Sequence, residues 1–404
     1  CMILVVAAIF AAVYIGMILG RIPGLALDRT GLALLGAIAL FLCGAVDAHS
    51  LSDAIDVQTI ALLFGLMVVS AQFRLAGTYS YIVRQIGKRE FSPRWLLATI
   101  LATTALLSSL LTNDVVCLAL TPVVIEVCRH KQLDPIPFLL GVACSSNIGS
   151  AATLIGNPQN ILIGQTLSLS FSRYLLDSLV PVFVSMILLW GLISAQYGGR
   201  WRLAAESSEI AAPAFSRWQT VKGSLITLLL LVVFLDGSWP RDISVLAAAA
   251  VLLCSRRMRS REILGIVDWQ LLVLFISLFI VNFALKEFGI LEVIYSSMKL
   301  AGADLQAPGW LFVVGAGLSN IVSNVPAVML LLPFAKHPFA GSALAIASTF
   351  AGNLLVIGSI ANIIVIDQAS RLGLHISWRQ HARTGIPITL ISLLCAGLWL
   401  WLRS

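Results

Sequence analysis

The sequence predicts an all-α polytopic membrane protein made of two inverted repeats. Each repeat is read as about five transmembrane helices plus one re-entrant hairpin, with discontinuous helices meeting at the midplane. Three observations lead there. First, 59% of the 404 residues are hydrophobic and only 11% are charged, against roughly 25% charged in a soluble protein, and the mean hydropathy is +0.96. Second, one polar device occurs twice inside apolar runs: Thr112-Asn113 and Ser323-Asn324, each with a proline nine residues after the Asn, Pro122 and Pro333. Polar groups are costly in hydrocarbon and mark solute or ion paths. Third, the two halves of the chain match in order, which is the sequence sign of a secondary transporter built from repeats.

The apolar spans fall near 2–20, 30–46, 57–74, 95–127, 136–165 and 173–197. A span near 2–20 is long enough to cross and lacks a basic start, so it reads as a first crossing and not as a cleaved leader. A polar linker follows at 198–218, and the pattern restarts at 219–236, 241–255, 268–286, 307–335, 338–366 and 384–402. The first repeat is therefore 1–197 and the second 219–404. Asp56 corresponds to Asp268 and Gly77 to Gly289 at an offset of 212, Asn113 to Asn324 at 211, and Gly156 and Asn160 to Gly358 and Asn362 at 202. A small, slowly drifting offset across a whole half argues duplication.

The fourth span of each half, 95–127 and 307–335, exceeds the ~20 residues that one crossing needs and is interrupted at its Asn. Both facts fit a re-entrant hairpin whose polar tip is buried. The fifth span of each half, 136–165 and 338–366, carries an internal break. In the first it runs through Asn147, Gly149, Gly156, Asn157 and Pro158, and in the second through Ser348, Thr349, Gly352, Asn353, Gly358 and Ser359. These read as broken helices. An odd number of crossings per half inverts the halves. Charge supports this: the loops near 21–29, 74–94, 129–134, 198–222, 256–262 and 371–383 hold 20 of the 26 Lys and Arg residues. The positive-inside rule places those loops in the cytoplasm, and so both termini outside a bacterial cytoplasmic membrane.

Hairpin tips and helix breaks converging at the midplane offer free N–H groups to anions and free carbonyls to cations. Thr112, Asn113, Asn147, Asn157, Asn160, Ser323, Asn324, Asn353 and Asn362 add neutral donors and acceptors and are the candidate solute-binding residues. The competing reading is that the Asn side chains cap broken helix ends. Asp114 stands out as an acid deep in an apolar span, with Glu126 near a span end and no Lys or Arg inside a central span to neutralise it. It is the candidate group for binding a coupling proton or sodium ion, although its repeat counterpart, Val325, shows that the repeat alone does not demand an acid. Cys117, one turn from Asp114, adds a thiol of the kind that binds soft metalloids. The seven Cys show no metal-ligand spacing, and no resident metal or cofactor is called for, only a proton or sodium gradient. The five His fall in stretches read as loops. Nucleic acid is excluded as a partner because the basic residues sit in short loops, and the lipid bilayer is the expected surroundings.

At these residues the chain resembles the ion-transporter superfamily, which holds arsenite permeases, sodium/proton antiporters and divalent-anion/sodium symporters. Thr112-Asn113-Asp114 followed by Leu120-Thr121-Pro122 is similar to the arsenite permease branch, as is the stretch from Ile376-Ser377-Trp378 to Arg383-Thr384-Gly385. The third tip positions, Asp114 and Val325, depart from the Ser-Asn-Thr pattern usual in the divalent-anion branch, while Thr153 to Asn160 also resembles less characterised anion permeases. The resemblance implies a scaffold from the first three spans of each half, a mobile part holding hairpins and broken helices, a homodimer and elevator-like alternating access.

The expected activity is export of arsenite or antimonite by proton antiport. The alternatives are a sodium-coupled small-anion symporter and a sodium/proton antiporter. An intramembrane enzyme is disfavoured because the chain has no HExxH or GxSxG motif. The basic loops at 200–222 and 256–262 leave a place for a cytoplasmic ATPase subunit, though topology signals explain them as well.

Overall fold

The computed structural model describes residues 2–20, 27–202 and 214–403. Parts of the loop 21–29 and of the linker 198–218 lie outside the described residues. The first half runs α1 (Met2–Leu19), α2 (Arg29–Leu42), α3 (Leu51–Ala54), α4 (Val57–Leu75), α5 (Thr78–Gly87), α6 (Pro93–Leu110), α7 (Asn113–His130), α8 (Pro135–Ser150), α9 (Pro158–Thr166) and α10 (Phe171–Gln196). The second half runs α11 (Arg217–Asp236), α12 (Arg241–Leu253), α13 (Ser260–Leu264), α14 (Trp269–Glu287), α15 (Ile290–Leu300), α16 (Pro308–Val322), α17 (Asn324–Leu331), α18 (Ala340–Ala351), α19 (Ile360–Arg371) and α20 (Trp378–Arg403). Long and short helices alternate in the same order in both halves. Among the described residues, seven helices are long and apolar enough to cross a membrane: α1, α4, α6, α10, α11, α14 and α20. The all-α polytopic class expected from the sequence is the class observed.

The matched residues do matched jobs. Asp56 and Asp268 precede α4 and α14, and each accepts a first-turn backbone N–H, from Thr59 and Leu271, at 2.9 Å, which ties up an orphan donor of the helix start. Gly77 and Gly289 take φ +67° and +68° between α4 and α5 and between α14 and α15, a conformation that costs glycine little. Proline opens α6, α8, α9 and α16, where its missing N–H would be unpaired in any case.

Several boundaries differ from expectation. The stretch 74–94, read as a loop, and 287–306, left between apolar spans, contain α5 and α15. Their polar faces hid them: α5 buries Thr78, Tyr79, Ser80 and Val83 and turns charge outward. Two helices end elsewhere than the apolar runs do. α19 continues to Arg371, past the predicted 366, and α20 begins at Trp378, ahead of the predicted 384. Helices extend through amphipathic ends wherever backbone pairing and one buried face suffice.

The halves interlock. α4 packs on α12 and, in mirror fashion, α2 on α14; α6 packs on α8 and α16 on α18; α7 meets α19 and α10 meets α20. A Cβ at Gly65 of α4 would lie 2.2 Å from Cγ1 of Val245 and 3.1 Å from its carbonyl, so this crossing is closed by the absence of a side chain. Small residues let backbones approach where lipid supplies no hydrophobic drive. Leu225, Leu228, Leu229 and Val232 of α11 stay exposed on one face, as a lipid-facing helix requires.

Candidate functional site

Both hairpin tips end against the broken helix of their own half. In the first, Thr112 leaves α6 in an extended conformation, and its backbone N–H and its hydroxyl both lie 3.2 Å from the Ser70 hydroxyl of α4. Asn113 then opens α7 and donates its backbone N–H to the Gly156 carbonyl at 3.1 Å. In the second, Ser323 bridges α16 and α17 with φ +79° and ψ 161°, a region that strains any residue but glycine. With its amide oriented to suit its neighbours, Asn324 donates to the carbonyls of Ser348 and Gly358 at 3.1 Å and accepts from Gln159 at 3.2 Å. Gly156 and Gly358 are repeat-related, so each tip docks on the same break carbonyl. Non-helical backbone at membrane depth is tolerated only when buried in protein in this way.

The two breaks are braced identically. Asn160 Nδ2 donates to the carbonyls of Ser150 and Thr153 at 3.4 and 3.1 Å. Asn362 Nδ2 donates to those of Gly352 and Leu355 at 2.8 and 3.2 Å, the same two positions one repeat later. Asn157 caps α9 by accepting the Asn160 backbone N–H at 2.9 Å and donates to the Ser150 hydroxyl at 2.9 Å. Asn147 sits at the centre. Its Nδ2 donates to Oδ1 of Asn353 at 2.8 Å and of Asn362 at 3.2 Å, while its Oδ1 accepts from the Ser359 hydroxyl at 2.8 Å and from Asn113 Nδ2 at 3.4 Å. Thr349, named in the sequence as part of the second break, and Gln159, which sequence reading did not single out, close the net: Gln159 Nε2 donates to the Thr349 hydroxyl, which donates to Asn160 Oδ1, both at 3.3 Å. A neutral lattice of amides and hydroxyls thus joins the halves. Its members answer one another's polar groups, as buried polar groups must; the Oδ1 of Asn113 is a buried exception without a partner among the described residues.

The sequence candidates therefore divide. Asn147, Asn157, Asn160, Asn353 and Asn362 are almost fully buried and bonded within the lattice, and Cys117 donates its thiol to Ser146 at 3.0 Å. Thr112, Asp114 and Ser323 instead border open space. A cavity of about 220 Å³ is bounded by Thr112, Asp114, Val115, Pro158, Arg74 and Asp268. A second, of about 570 Å³, reaches from Asp28 and Arg29 past Asp268 to Ser323 and Val325. Asn113 and Asn324 stand behind these walls at 5% and 8% exposure.

Three expectations need correction. Asp114 shares its cavity with a cation, Arg74, in the last turn of α4; the sequence assigned Arg74 to a loop. Asp114, itself half-buried, is not the acid most withdrawn from water. Asp177 of α10 is 2% exposed, lies 3.2 Å from Arg403 and accepts the Ser342 hydroxyl at 2.7 Å. It stands near a span start, where an acid reads as interfacial. Two of the five His are not in loops: His130 ends α7, and His381 lies in α20, 1% exposed, with Nε2 3.1 Å from the Asn353 carbonyl.

Paired hairpins, paired helix breaks and cavities reaching their tips are the parts of a membrane transporter. The chain belongs to the citrate transporter family, whose profile matches residues 10–342, within the ion-transporter superfamily. It is 29% identical to an uncharacterised transporter of Mycobacterium tuberculosis (strain ATCC 25618 / H37Rv), over 99% of this chain and 98% of that one. It is 30% identical to the inner membrane protein YbiR of Escherichia coli (strain K12), over 83% and 86%, and 28% identical to a silicon efflux transporter of Oryza sativa subsp. japonica, over 92% of each. Its fold is similar to the crystal structure of the Alcanivorax borkumensis YdaH transporter, with TM-score 0.59 and 16% identity over 99% of this chain and 97% of that one.

Proposed function

We propose that this transporter exports a small neutral hydroxide of the arsenite or antimonite type in exchange for protons, with Asp114 carrying the coupling proton. The observation that supports it most is the chemistry of the tips. The polar surface at the tips is amide and hydroxyl, and the adjoining cavity is bordered by two carboxylates, Asp114 and Asp268, and by Arg74. Arsenite at neutral pH is an uncharged trihydroxide, whose donors and acceptors Thr, Ser and Asn groups can answer without a fixed charge. Silicon at neutral pH is likewise an uncharged hydroxide, and one relative is a silicon efflux transporter. Alternating access of an elevator type, in a homodimer, would carry the tips between the two faces of a bacterial cytoplasmic membrane.

A second reading, sodium-coupled symport of a small anion, has its own support. Arg74 faces the Asp114 cavity, and the family takes its description from citrate. Everted vesicles with an acid interior, in sodium-free buffer, separate the two. Export by proton exchange gives gradient-dependent arsenite accumulation, reduced about tenfold or more in Asp114→Asn. Failure of wild-type vesicles to accumulate arsenite, with sodium-dependent anion uptake in right-side-out vesicles, would establish the second reading in its place.

A further inference from the structure

Asp56 and Asp268 stand at the same repeat position, yet only one is fully engaged. Each gives Oδ1 to a first-turn N–H at 2.9 Å. Oδ2 of Asp56 is then held by the hydroxyls of Thr59 at 2.7 Å and Thr166 at 3.4 Å. At Asp268 the residue in the place of Thr59 is Leu271, which has no hydroxyl. Among the described residues Oδ2 of Asp268 accepts no hydrogen bond. Asp268 also borders both cavities, the smaller with Asp114 and Arg74 and the larger with Asp28, Arg29 and Ser323. Among the described residues no other ionisable side chain borders both.

The charges of the smaller cavity add a second argument. Its ionisable lining is two carboxylates and one guanidinium, Asp114, Asp268 and Arg74. With one proton bound the cavity is neutral; with that proton gone it carries one net negative charge, which favours rebinding. Asp114 directly follows the tip residue Asn113 and is half-buried, whereas Asp268 is exposed, so the pair leads from the tip to water. Carboxylates pass protons across one hydrogen bond or one intervening water. We propose that Asp268 is the relay through which the coupling proton moves between Asp114 and the aqueous side of these cavities. The inference rests on the reading of Asp114 as the proton-carrying group. Arg74 from α4, Asp114 from α7, and Asp28 and Arg29 at the start of α2 are the charged groups that face Asp268 across the cavities.

The test uses the full-length protein in detergent and needs no transported solute. A flash-induced pH jump is followed with an indicator dye. The proton-release phase missing from Asp114→Asn reports Asp114. Asp268→Asn keeps the helix cap, since Asn caps as well as Asp, so its melting temperature should match the wild type. Its Asp114 phase should slow about tenfold, and Asp268→Glu should restore it. Asp56→Asn, the repeat-matched control, should release at the wild-type rate. An Asp268→Asn rate within about twofold of wild type, or equal slowing in Asp56→Asn, would overturn the relay while leaving Asp114 in its role. Absence of any Asp114-dependent phase in the wild type would overturn both.

Discussion

Ser323 and Thr112 occupy equivalent points at the two tips, yet their backbones differ. Thr112 is in an ordinary extended conformation with φ −61°, whereas Ser323 holds φ +79° and ψ 161°. Such strain costs about 1–3 kcal/mol and persists only when its surroundings impose it. Ser323→Gly removes the strain at a cost of about 0.5–1 kcal/mol in chain entropy, so the melting temperature should rise or hold. Ser323→Ala keeps the strain and loses the hydroxyl, so it should melt no higher than wild type. A lower melting temperature for Gly than for Ala would show that the backbone is relaxed there. At this scale the sequence revealed residue types but not orientations. Polar residues inside apolar runs exposed Asn113, Asn147, Asn160, Asn324 and Asn362 to view, yet whether each faces a cavity or a helix break depends on rotations that the runs do not encode. Arg74 and His381 were missed for the related reason that charged and imidazole side chains at span margins read as loop.

α6 and α7 show how the hairpin is held by its neighbour more than by its own turn. A Cβ at Gly156 would lie 2.3 Å from the Ser150 carbonyl and 2.7 Å from that of Ser108. Both are backbone atoms of α8 and α6, which cannot swing aside. At Gly358, its repeat partner, the nearest atom is the Asn320 side-chain oxygen at 2.8 Å, with backbone no nearer than 3.4 Å. Overpacking against fixed backbone costs typically 1–3 kcal/mol, occasionally more. Gly156→Ala should therefore melt well below wild type and Gly358→Ala close to it, measured by thermal unfolding in detergent; equal losses would mean that the two tips dock with equal tightness. The elements themselves were largely legible. Long apolar runs marked α1, α10, α11 and α14, and excess length with a central Asn marked the two hairpins. α5 and α15 were not legible, because their period is amphipathic; in α5 a charge also pairs out of sequence, since Arg84 grips Glu126 of α7 with two bonds of 3.0 Å. That pair also explains why Glu126 tolerates 6% exposure.

Across the whole molecule, the matching order of helices in the two halves was readable because it sums over many residues, while the contacts that lock the halves together were not, since each depends on a few atoms. The last helices of the two halves illustrate this. Asp177 of α10 faces Arg403 of α20 at 3.2 Å, Arg403 also donates to the Leu176 carbonyl at 2.8 Å, and Trp399 donates its indole N–H to the Asp177 carbonyl at 2.9 Å. The two partners are not equivalent. The Asp177 side chain is 3% exposed and that of Arg403 30%, so loss of one leaves a buried charge and loss of the other a partly hydrated one. Breaking a buried pair costs about 3–5 kcal/mol, and partial exposure of Arg403 reduces that to roughly 1–3 kcal/mol by screening. Arg403→Gln should therefore destabilise more than Asp177→Asn, because the first strands a carboxylate that only Ser342 still serves. The double variant should melt above Arg403→Gln alone, since it no longer buries an uncompensated charge, and a double-mutant cycle read by thermal unfolding gives the coupling directly. If Asp177→Asn proves the more damaging single change, the carboxylate supports the structure through Ser342 of α18 more than through α20, and the junction of the halves must be sought in the amide lattice instead.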